Sequence, residues 1–552
     1  MNSNIKEKIK GRKKDDVYKY FLKDENKCKF YCKIDNCNKI FSTNSSTSTL
    51  KNHTNKKHCD FFGKIKNNNN NNMNKKINIH TAYSRAFAKN SLSHSLLENN
   101  YFIDFITAIK ENPEVTISKK KLRELILLDG DKLKNNIICN LKFSRQPITL
   151  AIDGWTNVRS NKVINLMLIV NGNIYYYDSI ENKDNGNNKE YLLTLFVEKI
   201  NDLLNKGLNL IAVTTDNEIL MKSVCNELVK IFPILINIPC SAHLIQLCLK
   251  NICNSEKFKD TVDNIINLLN KFKDKKQNRI KLYNLQIIDN IIEPKKIIYP
   301  TMIRWSSIIT SIERILKLKK YIIEIITLNE TFWDQLDLLY KSIKEIKIYT
   351  NIIQNDDSSL YTVYECFDNL IKFYSSNDNL NIELVDIIKK YWTKYIDKKL
   401  INTIKLFCFE NLIKPEKEMI QFISDWGSLY LEKYNLTEEI DNKKIKKIII
   451  SQLTRLLAKQ KEFSKLEGII AEIKSEENNI NLPYISKLVW GKLMVECYEL
   501  SKIAIAILSI CPTEASVERS FSILSNIHTL ERNNLHEDLI DAELSIKINL
   551  KN

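Results

Sequence analysis

Two aspartates stand where short apolar segments of the chain end. Asp153 closes the segment ITLAID, and Asp216 closes LNLIAVTTD and is followed by Asn217. If these segments are neighbouring parallel strands, their carboxyl ends bring both side chains to one edge of a sheet. Carboxylates a few ångströms apart repel each other, so such a pair favours a bound cation. Oxygen ligands suit Mg²⁺ or Mn²⁺, and two such ions can support an in-line displacement at phosphorus.

Two cysteines and two histidines near the N-terminus have the spacing of a zinc site. Cys32, Cys37, His53 and His58 form the pattern C-x4-C-x15-H-x4-H. Two thiolates and two imidazoles make a closed tetrahedral site, which is structural rather than catalytic. The gap between the cysteines is wider than usual, and Cys28 could replace Cys32 as the first ligand. A domain of this size folds only with its metal bound.

Positive charge is concentrated at the start of the chain. The 552 residues carry a net charge of +17, and residues 1–66 hold 17 Lys or Arg against 7 Asp or Glu, a difference of +10. Such a basic head favours contact with DNA phosphates. Three of its lysines flank the two histidines and could position the segment on DNA without reading the base sequence: Lys51, Lys56 and Lys57. The alternative is that the high Lys content reflects A/T-rich codon usage, which accounts better for the bulk charge than for its clustering.

Composition and the N-terminal sequence indicate in which cellular compartment the protein works. The N-terminus is polar and does not resemble a signal peptide, and no run of about 18 apolar residues predicts a membrane span. Thirteen cysteines in a chain of this kind indicate free thiols and metal ligands rather than disulfides. The basic cluster KGRKK at 10–14 is of the type used as a nuclear address. We therefore expect a nuclear protein that does not bind membranes.

The order of apolar patterns predicts a mixed sheet followed by helices. Residues 148–153, 163–170 and 174–178 read as three strands, with an Asn171-Gly172 hairpin turn between the second and third. A helix, a strand at 208–215, a second helix and a short strand at 234–238 follow. This is the element order of the ribonuclease H-like fold. In that fold the first and fourth strands are parallel neighbours, which would place Asp153 beside Asp216.

The remaining patterns divide the chain into domains. Residues from 255 to about 485 read almost entirely as helix, which predicts a large all-helical insertion in the sheet domain. The expected divisions are a zinc finger at 15–62, an Asn-rich linker at 63–79, a helical DNA-binding region at 80–145, a ribonuclease H-like domain in two parts at 146–254 and 486–552, and the insertion at 255–485.

The C-terminal block CPTEASVERSFSILSNIHTLERNNLHEDLIDAELSIKINL resembles the dimerisation region of hAT-family transposases. Val517, Phe521 and Leu524 would form the apolar face of a helix that carries Glu518 and Arg519. The sequence D-x-W-T at Asp153 and the Asp-Asn pair at 216–217 are similar to the family's other motifs. The STSTLKNH segment at 46–53 resembles a BED finger, which often precedes the catalytic domain in this family.

The resemblance implies a site and partners. It makes Asp153, Asp216 and Glu518 a catalytic triad that binds Mg²⁺ or Mn²⁺. Arg304-Trp305 matches an RW motif whose Trp stacks on a flipped base, and Cys240 and His243 match a C-x-x-H motif of unclear role. The implied partners are double-stranded DNA and a second copy of the chain, in a homodimer or a higher oligomer.

Three functions fit these features. The first is a DNA transposase that binds through the zinc finger, dimerises through its C-terminal region and cuts with the three acids. The second is a domesticated DNA-binding or transcription-regulating protein that has lost strand transfer. The sequence departs from the family's pattern just after Asn217, at Glu218 to Leu220, and at Asn534 in the RN-x-L tail. These departures are compatible with the second function. A ribonuclease H-like nuclease unrelated to transposition is disfavoured by the finger and the tail.

Overall fold

A computed structural model describes most of the chain. The residues described are 21–24, 29–33, 37, 39–42, 45, 49–50, 52–53, 87, 93–113, 117–156, 161–182, 188–301, 306–376, 382–410, 416–436, 441–476, 481–527 and 535–550. They belong to two compact units, one within residues 1–116 and the other within residues 117–552. The sequence-predicted helical region 80–145 contributes to both units.

The N-terminal unit contains a small antiparallel sheet. Its strands are β1 (Phe21–Asp24), β2 (Lys29–Cys32) and β3 (Ile40–Ser42), in the order β1-β2-β3. Phe21, Phe30 and Leu50 are its buried core, a very small apolar cluster. A 3-10 helix at His94–Glu98 leads into helix α1 (Asn100–Glu111). The helix ends just before Pro113, which cannot continue it.

The second unit contains a five-stranded mixed sheet. Its strands are β4 (Ile148–Thr156), β5 (Lys162–Val170), β6 (Asn173–Asn182), β7 (Leu210–Thr215) and β8 (Ile236–Pro239), in the order β6-β5-β4-β7-β8. β4, β5 and β6 are antiparallel, whereas β4 pairs with β7, and β7 with β8, in parallel. Asn171 and Gly172 join β5 to β6 with φ of 49° and 83°. Both values are positive, as a tight hairpin turn requires.

Helices cover both faces of this sheet. The first face, which includes Leu150, Ile152 and Leu166, belongs to the large core that continues into the helical part of the unit. The second face carries Ala151, Val163, Met167 and Tyr176, which are packed under the last two helices of the chain. Alternate residues of β4 therefore face different cores, as the two-residue period of a strand dictates.

In the described part of the chain beyond β8, every regular element is a helix. The helices that precede or separate the strands are α2 (Lys119–Ser144), α3 (Lys189–Asn205) and α4 (Ile219–Ile231). Those that follow β8 are α5 (Ser241–Cys253), α6 (Lys259–Asp274), α7 (Lys276–Ile288), α8 (Ser306–Lys317), α9 (Lys319–Ile325), α10 (Glu330–Ile353), α11 (Leu360–Ser375), α12 (Ile382–Tyr395), α13 (Lys398–Phe407), α14 (Lys417–Lys433), α15 (Asn442–Leu457), a 3-10 helix (Lys461–Lys465), α16 (Leu466–Glu476), α17 (Leu482–Leu493), α18 (Tyr498–Leu508), α19 (Ala515–Ile527) and α20 (Glu537–Asn549).

Buried aromatic side chains tie the helical region to the sheet. From α14, the Trp426 indole donates a hydrogen bond to Ile234 O at 2.9 Å, and the Tyr434 hydroxyl, just past the end of α14, donates to Leu210 O at 2.6 Å. The Tyr430 hydroxyl accepts one from the side chain of Asn209 at 3.1 Å. Each indole or phenol thereby satisfies its polar atom while its ring fills the core.

The last helix, α20, is packed inside the unit rather than left as an apolar tail. Leu544 is fully buried, and Leu539 and Ile548 are nearly so. Lys134 of α2 forms a salt bridge with Asp541 at 2.5 Å. Asp541 also accepts a hydrogen bond from the Tyr176 hydroxyl of β6. The apolar residues of α20 are therefore buried within the chain's own second unit.

These elements confirm the general class predicted from the sequence, a mixed sheet with a helical region and a small N-terminal sheet. The five strands, the hairpin turn and the parallel pairing of the first and fourth strands occur where they were expected. None of the helices in the described residues combines the length and apolar character needed to cross a membrane.

Candidate active site

The parallel pairing of β4 with β7 brings the two predicted aspartates to one edge of the sheet. Ile152 is opposite Thr215 in the register, so Asp153 and Asp216 each follow a paired residue. The amide of Gly154 donates to Asp153 Oδ1 at 2.7 Å, and the amide of Glu218 donates to Asp216 Oδ1 at 3.2 Å. These hydrogen bonds orient one oxygen of each carboxylate.

A short segment before α19 is anchored to the same strands. The amide of Cys511 donates to Thr149 Oγ1 at 3.0 Å, and the Thr214 hydroxyl donates to Cys511 O at 2.8 Å. Pro512 O accepts from the amide of Ser241, the first residue of α5, at 2.9 Å. Residues far apart in the sequence are thus held at one sheet edge, and α19 starts there.

Helix α19 then crosses the second face of the sheet. Val517 and Leu524 are buried against the sheet, and Phe521 is partly buried beside them, as the amphipathic pattern predicted. The Asn165 side chain of β5 donates to Ser520 Oγ at 2.9 Å. This packing fixes the rotation of the helix and leaves Glu518 partly exposed.

The three predicted acids interact electrostatically. Burial raises the pKa of Asp153 to about 8; the hydrogen bond from Gly154 opposes this rise, and the charges of Asp216 and Glu518 add to it. Burial also raises the pKa of Asp216, against the hydrogen bond from Glu218 and the nearby His243. The fold therefore brings Asp153, Asp216 and Glu518 into one acidic cluster.

A fourth acid, Glu514, belongs to the cluster and was not predicted from the sequence as a site residue. Only 3% of its surface is exposed, and its Oε2 has no hydrogen-bond partner. Burial raises its pKa well above the usual range, and the charges of Asp153, Asp216 and Glu518 raise it further. The E-x-x-x-E spacing was an available signal, because residues four apart lie on the same face of a helix.

The C-x-x-H motif borders the cluster. Cys240 is buried, with its Sγ 3.8 Å from Thr513 Oγ1 and 3.5 Å from the amide of Glu514. Its carbonyl accepts a hydrogen bond from the Asn217 side chain at 3.0 Å. His243 lies near enough to Asp216 to lower the pKa of that carboxyl. The motif thus contacts the segments that carry Asp216 and Glu514.

The donors of the cluster are of the type that hard divalent cations prefer. All four are carboxylates, and one of their oxygens is buried with no partner. In the described residues, the group whose ligand atoms all lie within 4.8 Å of one another is Cys32, Cys37 and His53 rather than the acids. Two ions about 4 Å apart spread their ligands more widely than one zinc ion does. The carboxylates of the acidic cluster are thus more widely spaced than the ligands of a single compact metal site.

The N-terminal unit brings three of the four predicted zinc ligands together. Cys32 ends β2, and Cys37 Sγ lies 3.4 Å from His53 Nε2. The rings of Phe41 and His53 are 5.0 Å apart, which places the imidazole against the small core. Two thiols and an imidazole at this separation can hold one tetrahedral ion.

Several predicted site residues lie outside the described residues. They are His58, Lys51, Lys56, Lys57, Arg304 and Trp305, together with the alternative ligand Cys28.

Two segments of the chain match known families. Residues 131–268 match a domain of unknown function (DUF659), and this segment includes Asp153 and Asp216. Residues 473–550 match the hAT family C-terminal dimerisation region, and this segment includes Glu514 and Glu518. No curated protein matches the chain significantly. The two matched segments meet at the acidic cluster and support the resemblance to hAT-family transposases that the sequence motifs carry.

Proposed function

We propose that this protein is an hAT-like DNA transposase, which binds DNA, assembles with a second copy and cleaves DNA strands with a cation-dependent acidic site. The observation that carries the proposal is the electrostatic interaction of Asp153 with both Asp216 and Glu518. Two of these residues lie in one matched family segment and the third lies in the other. Carboxylates from distant parts of the chain, two of which raise the pKa of the buried Asp153, are costly to a fold unless a cation uses them.

The catalytic roles follow from where each carboxylate lies. Asp153 lies within β4, just past the last residue of that strand that pairs with β7, Asp216 directly follows β7, and Glu518 lies on α19. Together they would hold Mg²⁺ or Mn²⁺, which activates the attacking water or 3′-hydroxyl and stabilises the departing oxygen. Each side chain supplies negative charge and lone pairs to the ions, and the amides of Gly154 and Glu218 keep two carboxylates oriented.

The sheet supports a ribonuclease H-like catalytic domain. Three antiparallel strands are followed by two strands parallel to the first, with α3 and α4 between them. The helical region from α6 to α17 would then be an insertion before the last part of that domain. In this arrangement the helix with Glu518 returns to the sheet edge after a long excursion of the chain.

The N-terminal unit supports a zinc-dependent DNA-binding finger of the BED type. Cys32, Cys37 and His53 would bind structural zinc with His58 as the fourth ligand. In the described residues, the cluster under the small sheet has three buried side chains, and a core of this size needs a bound metal to stabilise the fold. The net charge of +10 in residues 1–66 favours double-stranded DNA as the partner and the nucleus as the compartment.

Self-association follows from the matched dimerisation region, which supports a homo-oligomer. Because the apolar residues of α20 are packed inside the second unit, the contact between copies would use other surface of this region. A dimer would allow one protein assembly to hold two DNA ends.

The test is a cleavage assay with the purified full chain and DNA that carries the repeats flanking its gene. We expect strand cleavage with Mg²⁺ or Mn²⁺ and none without them. Specific DNA binding without cleavage under any divalent cation would instead favour the domesticated DNA-binding protein.

A further inference from the structure

Glu514 differs from Glu410, a partly buried glutamate that also has an oxygen without a hydrogen-bond partner. Both residues carry an Oε2 that is buried without a hydrogen-bond partner. Glu410 has Lys405 at 3.6 Å to balance its charge. No salt bridge in the described part of the chain involves Glu514, and its charged neighbours are Asp153, Asp216 and Glu518. A buried carboxyl among three others either stays protonated or, when ionised, needs a compensating positive charge.

The position of Glu514 is set by the backbone rather than by chance packing. Its carbonyl accepts hydrogen bonds from the amides of Val517 at 2.8 Å and Glu518 at 3.2 Å, which start α19. Its own amide lies 3.5 Å from Cys240 Sγ. Glu514 immediately precedes α19, and Glu518 lies one helical turn further along the chain, close enough for its charge to act on Glu514. A cation held by Asp153 and Asp216 would meet this end of the helix.

We propose that Glu514 is a fourth acidic residue of the site, whose buried carboxylate helps to hold a divalent cation together with Asp153 and Asp216. It contacts the cation or a water molecule bound to it, through the oxygen that has no protein partner. This role deepens the proposed function and rests on it. In this arrangement Glu514 helps to hold the cation in the protein interior, and the more exposed Glu518 faces the bound DNA.

The alternative is a purely structural role, in which Glu514 is a neutral acid that packs beside Cys240 and starts the helix. The substitution Glu514→Gln separates the two roles. Gln has nearly the same shape and keeps a hydrogen-bonding oxygen, but it removes the negative charge. Removing a supporting ligand typically weakens metal affinity about 10- to 100-fold. A structural role predicts unchanged affinity and equal or higher stability of the metal-free protein.

The experiment is a Mn²⁺ titration of the full chain, prepared with zinc but without Mg²⁺ or Mn²⁺, with free Mn²⁺ followed by electron paramagnetic resonance. The variants are Glu514→Gln, Asp153→Asn and, as a matched control, Glu410→Gln. We expect Glu514→Gln to weaken Mn²⁺ binding about 10- to 100-fold and to reduce the rise in Tm that Mn²⁺ produces. Glu410→Gln should leave Mn²⁺ binding at the wild-type level. If Glu514→Gln does not fold, Glu514→Asp replaces it in the titration, because it keeps the charge. Weaker Mn²⁺ binding by Glu514→Asp would then support the proposal.

Two outcomes would overturn the proposal, and they are distinguishable. Wild-type Mn²⁺ affinity in Glu514→Gln, with affinity lost in Asp153→Asn, would leave the proposed function standing and make Glu514 structural. A wild-type chain that binds no Mn²⁺ would remove the cation-dependent function itself, and the role of Glu514 with it.

Discussion

Gly130 of α2 and Ala542 of α20 are in direct contact where the two helices cross. A Cβ built on Gly130 would lie 2.9 Å from both Cα and Cβ of Ala542. Ser545 of α20 also donates a hydrogen bond to Gly130 O at 3.2 Å. The close approach lets α20 reach the sheet, and it depends on the missing side chain at position 130.

The contact predicts opposite effects for two glycine substitutions. Gly130→Ala should destabilise the protein by about 1–3 kcal/mol, because backbone at Ala542 must move to admit a methyl group. Gly468 of α16 has nothing within 4 Å of such a Cβ. Gly468→Ala should therefore raise stability by up to about 1 kcal/mol through helix propensity. Thermal unfolding of both variants checks the signs, and a stabilised Gly130→Ala would disprove the close contact.

The tail covers apolar surface of the sheet, so its removal should have a strong effect on assembly. A chain that ends at residue 510 loses α19 and α20 and exposes Ala151, Met167 and Tyr176. We expect it to lose self-association of the native kind and to aggregate. A chain without residues 1–79 should keep its self-association, because the matched dimerisation region at 473–550 remains. Light scattering after size exclusion measures the oligomeric state of both chains. A soluble native dimer of the chain that ends at residue 510 would show that the interface lies elsewhere.

Each of the three predicted catalytic acids should be needed for strand cleavage. Asp153→Asn, Asp216→Asn and Glu518→Gln should each abolish cleavage. The three residues share the ions, so the loss of one ligand prevents both activation of the attacking group and stabilisation of the leaving oxygen. DNA binding should persist or strengthen slightly, since each change removes a charge that repels phosphate. Asp425→Asn on α14, in a salt bridge with Lys446 at 2.6 Å, is the control and should cleave normally. Normal cleavage by any of the three variants would contradict the assigned triad.

Zinc content should depend on the N-terminal ligands and not on the C-x-x-H motif. Full-length protein should contain about one zinc ion per chain, as a closed four-ligand site binds one ion. Cys37→Ser or His53→Ala should remove it, whereas His243→Ala should not. Inductively coupled plasma mass spectrometry of the purified variants gives the stoichiometry. Loss of zinc in His243→Ala alone would move the metal to the C-x-x-H motif.

Stability without divalent cations should fall as the pH rises from about 4 to 8. Burial raises the pKa of Asp153 from 3.8 to about 8, so the folded state binds a proton that the unfolded state has released in this window. Stability then decreases with pH by up to about 1.4 kcal/mol per unit for this group. Asp153→Asn should reduce this dependence of stability on pH. Mn²⁺ should also reduce it, because a bound cation stabilises the ionised carboxylate. Denaturant unfolding at pH 5 and pH 8 measures the difference; a wild-type slope in Asp153→Asn would show that other groups cause it.

Much of this arrangement could be predicted because the signals are local. Strand alternation and the Asn171-Gly172 turn each depend on a few neighbouring residues, and the structure has both. The order of strands then predicts β4 and β7 as parallel neighbours, which places Asp153 beside Asp216. The amphipathic period of α19 likewise predicts which of its faces is buried.

Tertiary structure decided the features that depend on distant partners. The burial of Glu514 follows from its contact with Cys240, 274 positions away, and no local pattern specifies it. The tail's apolar residues could equally have served a partner subunit, and contacts with distant residues, such as that of Ala542 with Gly130, pack α20 inside its own chain. Periodicity determines which face of an element is apolar. The surface that covers that face, and the charges that gather beside it, are determined by how the whole chain folds.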